Sequence, residues 1–415
     1  MAREMLISAA AQVMELPRAE LVAENSVIAH RYSGASRSFA ELASLAPKQP
    51  LPNPANLEFK DAADYRIVGT AKSQVDSLDI VTGQGDFAID TRVEDMLYGC
   101  YEKCPAIGGT IVSANIDQIK RQPGVVDAYV IKGNGVYSEL MDGVGIVGTS
   151  TWAVFKARQK LAITWDESAA SKDSWSGFVE FAQQEKQTGA DVTFRKGNVD
   201  DALGDPANMV VSSLYEYPYL SHLCLEPMNC TADFRPRRGG KKDHLEVWLS
   251  TQNGPGFQAF AKAHFGLSKD QVTIHIKRMG GSFGRRNTYE YVCEAVALSQ
   301  RCGRPVKLTW SREDSMKYDY YREGGFMRLS GAMTADGTLA AYEEHNIGVW
   351  VDGERSRFTK VDAGSFPIAT LPNVRGSITT HRMDTPIGPW RAPFANTHAF
   401  ASQCFINELY ILCIL

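Results

Sequence analysis

Residues 277 to 286 read KRMGGSFGRR. The stretch follows the strand-like run QVTIHI and precedes the helix-like run TYEYVCEAVALSQ, so glycines, a phenylalanine and paired arginines stand at a strand-to-helix junction. Three kinds of chemistry suit that placement. Glycine reaches backbone angles closed to other residues, so Gly280, Gly281 and Gly284 can simply turn the chain. Backbone N–H groups at a helix start, with Arg285 and Arg286 beside them, can hold an anion such as phosphate. Small residues can also make room for a large buried cofactor, with Phe283 as one wall. No Gly-Lys-Ser/Thr follows at Walker spacing and the stretch itself holds no G-x-G-x-x-G, so neither nucleotide fingerprint applies to it. The loop alone leaves the three readings open.

Other reactive residue types are scattered. The histidines at 30, 222, 244, 264, 275, 345, 381 and 398 include no H-E-x-x-H pair. His222 and Glu226 share the segment SHLCLEPMNC. A carboxylate in an apolar run must be paired or perturbed, so Glu226 is read either as bonded to backbone amides or as functional. Of the eight cysteines, Cys100 and Cys104 form C-x3-C, with no second pair at zinc spacing. Buried free thiols are expected, and no iron–sulfur or zinc centre within the chain.

The elements that position these residues can be read from periodicity and punctuation. Residues 2–14 form a helix pattern, and Ser38 with Glu41 makes a capping box for SFAELASLA. LAPKQPLPNPANLEF, with four prolines, reads as a linker or extended arm. From about 80 to 167, FAID, MLYGCY, VVDAYVI and LAITWD read as strands, DQIKRQPG ends a helix and TWAVFKARQK is one. Beyond 168, SWSGFVEFAQQEKQ is a helix, VVSSLYEYPY, HLEVWLS and QVTIHI are strands, and a hairpin turns at Asp336-Gly337. The fold class is α+β. The 415 residues carry a net charge of −4, which offers no global field for nucleic acid, and RPRRGGKK (235–242) reads as a solvated hairpin tip. No window is apolar enough for a transmembrane segment, and the amphipathic start lacks the pattern of a secretion signal.

Taken together and in order, SHLCLEPMNCTADF (221–234), STQNGPGFQAFAKAHFGLSKDQVTIHIKRMGGSFGRR (250–286), LTWSREDSM (308–316) and WRAPFANTHAFASQCFINEL (390–409) resemble the molybdenum-binding subunit of the xanthine dehydrogenase and aldehyde oxidase family. LEPMNCTA and GGxFGRR are similar to its isoquinoline 1-oxidoreductase branch, in the beta subunit. VTGQGDFAIDTRVEDMLYG resembles the family's a/b hammerhead domain. The resemblance implies an N-terminal helical and proline-rich remnant over 1–79, a hammerhead domain over 80–167, and a molybdopterin-binding domain over 168–415.

It also implies site residues. Gln252 matches the glutamine that hydrogen-bonds an oxygen ligand of molybdenum. Gly280, Gly281, Ser282, Phe283, Gly284 and Arg285 match the cofactor loop, the glycines letting the backbone approach the pterin, and Ser282 replaces a glycine often found there. Arg391 and Ala392 match a segment that approaches the metal. Glu226 and Asn287 are assigned to the substrate pocket; Asn287 stands where xanthine enzymes carry a glutamate, so a purine is not the expected substrate. The molybdenum is expected to be held through the pterin, as the cytosine dinucleotide form, with no direct protein ligand. Electrons are expected to pass to iron–sulfur clusters on a small partner subunit, from an N-heteroaromatic or aldehyde substrate oxidised with water as the oxygen source. The family's glutamate base matches no residue here and is expected beyond Leu415. The helix pattern at the start and the uncapped apolar THAFASQCFINELYILCIL at the end are read as a fragment, inactive alone. A non-catalytic relative that keeps the fold as a scaffold is the alternative.

Overall fold

The structure, a computed structural model, describes residues 1–185, 190–236, 242–351, 353–364 and 366–414. The chain divides into two compact units, Met1–Gly83 and Gln84–Leu415. In the first, the helix Ala2–Met14 packs Ala9 and Ala10 against Leu21, Ile28 and Leu42 beside a three-stranded sheet. Two of its strands, Leu21–Glu24 and Val27–His30, escape the sequence reading. They join through Asn25 and Ser26, both at positive φ as a two-residue hairpin requires. The capping box of Ser38 and Glu41 forms as expected, on a helix of one turn, Phe39–Leu42.

The second unit is built on two large sheets. The first has seven strands in the order Val272–Ile276, His244–Leu249, Asn229–Arg235, Val306–Thr309, Leu97–Lys103, Gly143–Gly148 and Val125–Ile131. Strands from 97–148 and strands from 229–309 therefore share one sheet, joined where Val306–Thr309 pairs in parallel with Leu97–Lys103. The helix Glu290–Cys302 lies against it and buries Tyr291, Val292, Ala295, Val296 and Leu298. Their apolar burial is the main force holding helix to sheet.

The second sheet runs Met209–Tyr217, Gly325–Met333, Leu339–Val351, Asn373–Arg382 and Asp191–Lys196, with Glu354–Arg355 paired to the third. The Asp336-Gly337 hairpin joins Gly325–Met333 to Leu339–Val351 as expected, with Gly337 at φ 81°. The helix Ala395–Ile414 packs Ala401, Phe405 and Leu409 on this sheet. The expected helix of SWSGFVEFAQQEKQ runs over Trp175–Gln184, and its last two residues lie outside the described ones. Most of the RPRRGGKK tip likewise falls outside, at 237–241.

FAID is not a strand. Ala88–Asp90 is a 3-10 turn whose Ile89 N–H donates to Glu226 Oε1 (3.0 Å) and whose Ile89 carbonyl accepts from Lys307 Nζ (2.7 Å). Ile89's backbone groups are thus taken by side chains and the Phe87 and Ala88 carbonyls by the turn's own N–H groups, so pairing is limited to an isolated bridge from Phe87 to Arg278. No helix among the described residues is long and apolar enough to cross a membrane.

Candidate functional site

The glycine-rich loop is held from beneath by two buried arginines. Arg286 is fully buried; its guanidinium donates to Gly281 O (2.9 Å), Glu226 O (2.8 Å) and Glu226 Oε2 (3.0 Å). Arg285 pairs with Glu290 and with Asp319 (2.9 Å), and donates to Thr288 Oγ1 (2.6 Å). Buried charges need partners, and the Arg285 side chain finds its own inside the protein.

Glu226 is bonded within the protein as well. Its Oε2 accepts from Gly280 N (2.8 Å) and Arg286, and its Oε1 accepts from Ile89 N and from Asn229 Nδ2 (both 3.0 Å). Both oxygens are engaged, so Glu226 ties the loop to the Ala88–Asp90 turn. Asn287 also turns inward, donating through Nδ2 to Gly284 O (3.0 Å).

The glycines prove to serve the protein's own close packing. A Cβ on Gly280 would lie 2.4 Å from Glu226 Cβ, and one on Gly284 would lie 1.5 Å from Pro389 O. On the side where a Cβ would stand, the space is filled by residues of 222–226 and by Pro389. Gly284 also has φ 112°, which an L side chain resists. Gly284→Ala is expected to cost about 1–2 kcal/mol in backbone strain alone and to push Pro389–Arg391 off the loop. A urea midpoint equal to that of the parent protein would contradict this.

Through these contacts three separated motifs converge. Gln252 follows the strand His244–Leu249 and precedes Asn253, whose side chain caps the helix Gly254–Phe265 by accepting from Gly256 N. Gln252 N–H donates to Arg286 O (3.0 Å), and Gln252 Oε1 accepts from Gly284 N (3.0 Å). That leaves the Gln252 amide NH2 without a partner among the described residues. On the other side, Pro389 O touches Gly284 and lies 3.1 Å from His222 Nε2. The loop then exposes Arg391, Ala392 and Pro393, with Ala392 at φ 55° and Phe394 at φ 66°. Asn396 Nδ2 closes it by donating to Ala392 O (2.8 Å).

His222, Asp319 and Pro389 form a frame that motif reading does not assemble. His222 Nδ1 is 3.0 Å from Asp319 Oδ1, and Asp319 Oδ2 accepts from His222 N and Ser221 Oγ (both 2.6 Å). Burial alone would raise the Asp319 carboxyl, but His222, Arg285 and Ser221 outweigh it and hold it below the usual range. His222 stands out in the sequence; its partner, in KYDYYREGG, carries no local signal.

Two features on the open side ask for an occupant. Phe283 sits at φ 56° with its ring 42% exposed, and Ser282 Oγ is buried without a partner. Strain, an exposed ring and an orphaned hydroxyl together mark a surface shaped for a ligand. Burial pushes the nearby Cys224 thiol up, which disfavours the thiolate a metal would need. No group of His, Cys, Asp or Glu among the described residues is arranged to hold a metal directly.

The chain belongs to the molybdopterin cofactor-binding domain family, whose pattern matches residues 181–409. It is a molybdopterin-binding chain of the xanthine dehydrogenase family. It is similar to the beta subunit of isoquinoline 1-oxidoreductase from Brevundimonas diminuta, 25% identical over 85% of this chain and 51% of that one. It is also similar to a nicotinate dehydrogenase subunit of Pseudomonas putida, 27% identical over 98% of this chain and 34% of that one. The chain thus spans between a third and about half of these relatives' lengths. The fold matches aldehyde oxidoreductase from Desulfovibrio desulfuricans with TM-score 0.65 at 18% identity, over 86% of this chain and 43% of that one. The residues present fit a molybdopterin: the strained loop, the free hydroxyl of Ser282 and the free amide of Gln252 are donors and walls for a large polar cofactor.

Proposed function

We propose that the chain is the molybdopterin-binding part of a molybdenum hydroxylase. It oxidises an N-heteroaromatic or aldehyde substrate with water as the oxygen source, and electrons pass to a separate iron–sulfur subunit. The names of the relatives support the substrate class, since isoquinoline, nicotinate, xanthine and aldehydes all present an electron-poor carbon. The observation that carries the reading is the meeting of Gln252 and Pro389 at Gly284, beside Phe283.

When bound, the molybdopterin supplies the redox chemistry. The protein's part is to hold and shape. Gln252 would donate its free amide, and Ser282 its hydroxyl; the backbone of 280–285 and of Arg391 and Ala392 would border the cofactor, and Phe283 would form a wall. Glu226, Arg285, Arg286 and Asp319 keep that surface rigid from below. The cytosine dinucleotide form of the cofactor is part of the proposal, as are a hammerhead domain at 80–167 and a cofactor-domain remnant at 1–79.

Molybdenum and released cytidine nucleotide per polypeptide test the reading, after expression with a small iron–sulfur partner in a host that makes the cofactor. Stoichiometric molybdenum is expected in the parent protein, with affinity lowered roughly 10–100-fold in Gln252→Ala, as for other groups that orient a metal's ligands. Absence of both metal and nucleotide from the folded parent chain would defeat the proposal.

A further inference from the structure

Behind the 388–394 loop lies a small cavity, aromatic walls around a few polar groups, that the cofactor site does not use. Arg322, Glu323, Phe358, Gly388, Trp390 and Phe394 line it, and its volume is about 10 Å³, the room one water needs. Glu323 is only 4% exposed. Its carboxyl is met by hydroxyls, those of Ser356 and Thr359 (3.4 Å), and by no cation among the described residues. The adjacent Arg322 turns away, donating to Pro218 O (2.7 Å) and Asn396 Oδ1 (3.4 Å). Two buried donors of residues that line the cavity, Trp390 Nε1 and Arg322 Nε, have no partner among the described residues. Two idle donors and a buried carboxyl around a space of one water meet what an internal water requires.

We propose that Glu323, with one water held by Trp390 Nε1 and Arg322 Nε, forms an internal proton-accepting site on the inner side of the 388–394 loop. The carboxyl in turn helps raise the phenols of Tyr217 and Tyr219, from the strand Met209–Tyr217 and just beyond it; Glu344 of Leu339–Val351 acts on Tyr217 as well. Burial, opposed only by the hydroxyls and by Arg322, raises the carboxyl to about 7, so it can gain or lose a proton near neutrality.

The role rests on the hydroxylase reading. Replacing a C–H hydrogen by a hydroxyl from water releases an electron pair and a pair of protons. The electrons pass to the iron–sulfur acceptor. One proton reaches the Glu323 carboxylate through the water and makes it a carboxylic acid; the other goes to solvent. Glu323 touches no reacting atom, so its part is to hold a proton near the site.

Infrared difference spectra of the purified chain, stepped from about pH 5.5 to about pH 8.5, test the site directly. A protonated-carboxyl band lost with a midpoint near 7 is expected in the parent protein, absent in Glu323→Gln, and displaced in Trp390→Phe, which removes one donor to the water. A spectrum unchanged by Glu323→Gln, or a band whose position and midpoint ignore Trp390→Phe, overturns the proposal. Circular dichroism of each variant establishes that it is folded. In the molybdenum-loaded complex, Glu323→Gln should remove an inflection near neutral pH from kcat and leave KM unchanged; an unaltered profile overturns the proton-holding role. A band that behaves as expected in a chain that never takes up molybdenum defeats the hydroxylase reading and leaves the site standing.

Discussion

Glu226→Ala is expected to destabilise the Gln84–Leu415 unit by roughly 3–5 kcal/mol, the penalty of leaving a buried cation unpaired. Glu226 and Arg286 are almost fully buried, so solvent does little to screen their attraction. The carboxylate also accepts from Gly280 N and Ile89 N. Truncation therefore strands two backbone donors as well as the guanidinium. Glu226→Gln keeps one acceptor and the side-chain shape, so its loss should be smaller. Urea midpoints of both variants, read against Glu354→Ala at an exposed glutamate, decide the matter. If Glu226→Ala falls no further than Glu354→Ala, the ion pair does not hold the loop.

The second large effect depends on pH. The Glu323 carboxyl titrates near 7 in the folded chain, against 4.5 for an unperturbed glutamate. The folded state therefore keeps a proton that the unfolded state has already lost across that interval. Stability is fully present below about pH 4.5 and is lost as pH rises toward 7, at about 1.4 kcal/mol per pH step. Glu323→Gln carries no such proton. Relative to the parent protein it should gain roughly 3 kcal/mol between pH 4.5 and pH 8. Stability measured at matched ionic strength across that range reads the difference. Parallel curves for the two proteins would mean that the carboxyl is ionised at all these pH values.

Legibility follows the range of the interaction. The helix Glu290–Cys302 and the hairpin at Asp336-Gly337 carry their signals within a few residues and are read correctly. The hairpin of Leu21–His30 is missed because its turn is Asn-Ser, without the glycine that usually announces one. FAID has a strand's composition, but the partner that claims its backbone is Glu226, which no local pattern reveals. The site shows the same division. The segments of Gln252, Phe283 and Pro389 stand out by their ordered motifs, and the structure brings them together at Gly284. The buried partners of Glu226 and Arg285 are not legible, since they come from contacts distant in sequence. Glu323 gives no local signal: the hydroxyls that meet its carboxyl come from Ser356 and Thr359, more than thirty residues on.

The single strand Val306–Thr309 carries a consequence for how the chain acquires its fold. Among the described residues it is the link within the sheet between Asn229–Arg235 on one side and Leu97–Lys103 on the other. Until it arrives, both neighbours are open edges able to pair with any passing strand. Leu97–Lys103 leaves the ribosome about two hundred residues before its partner does, and parallel pairing over such a span is slow. The strands Leu97–Lys103, Val125–Ile131 and Gly143–Gly148 thus wait as a half-finished sheet. Chains made faster than that gap can close would aggregate by borrowing one another's Val306–Thr309, and a chaperone that shields the edge of Leu97–Lys103 would raise the yield more than one acting on the finished surface.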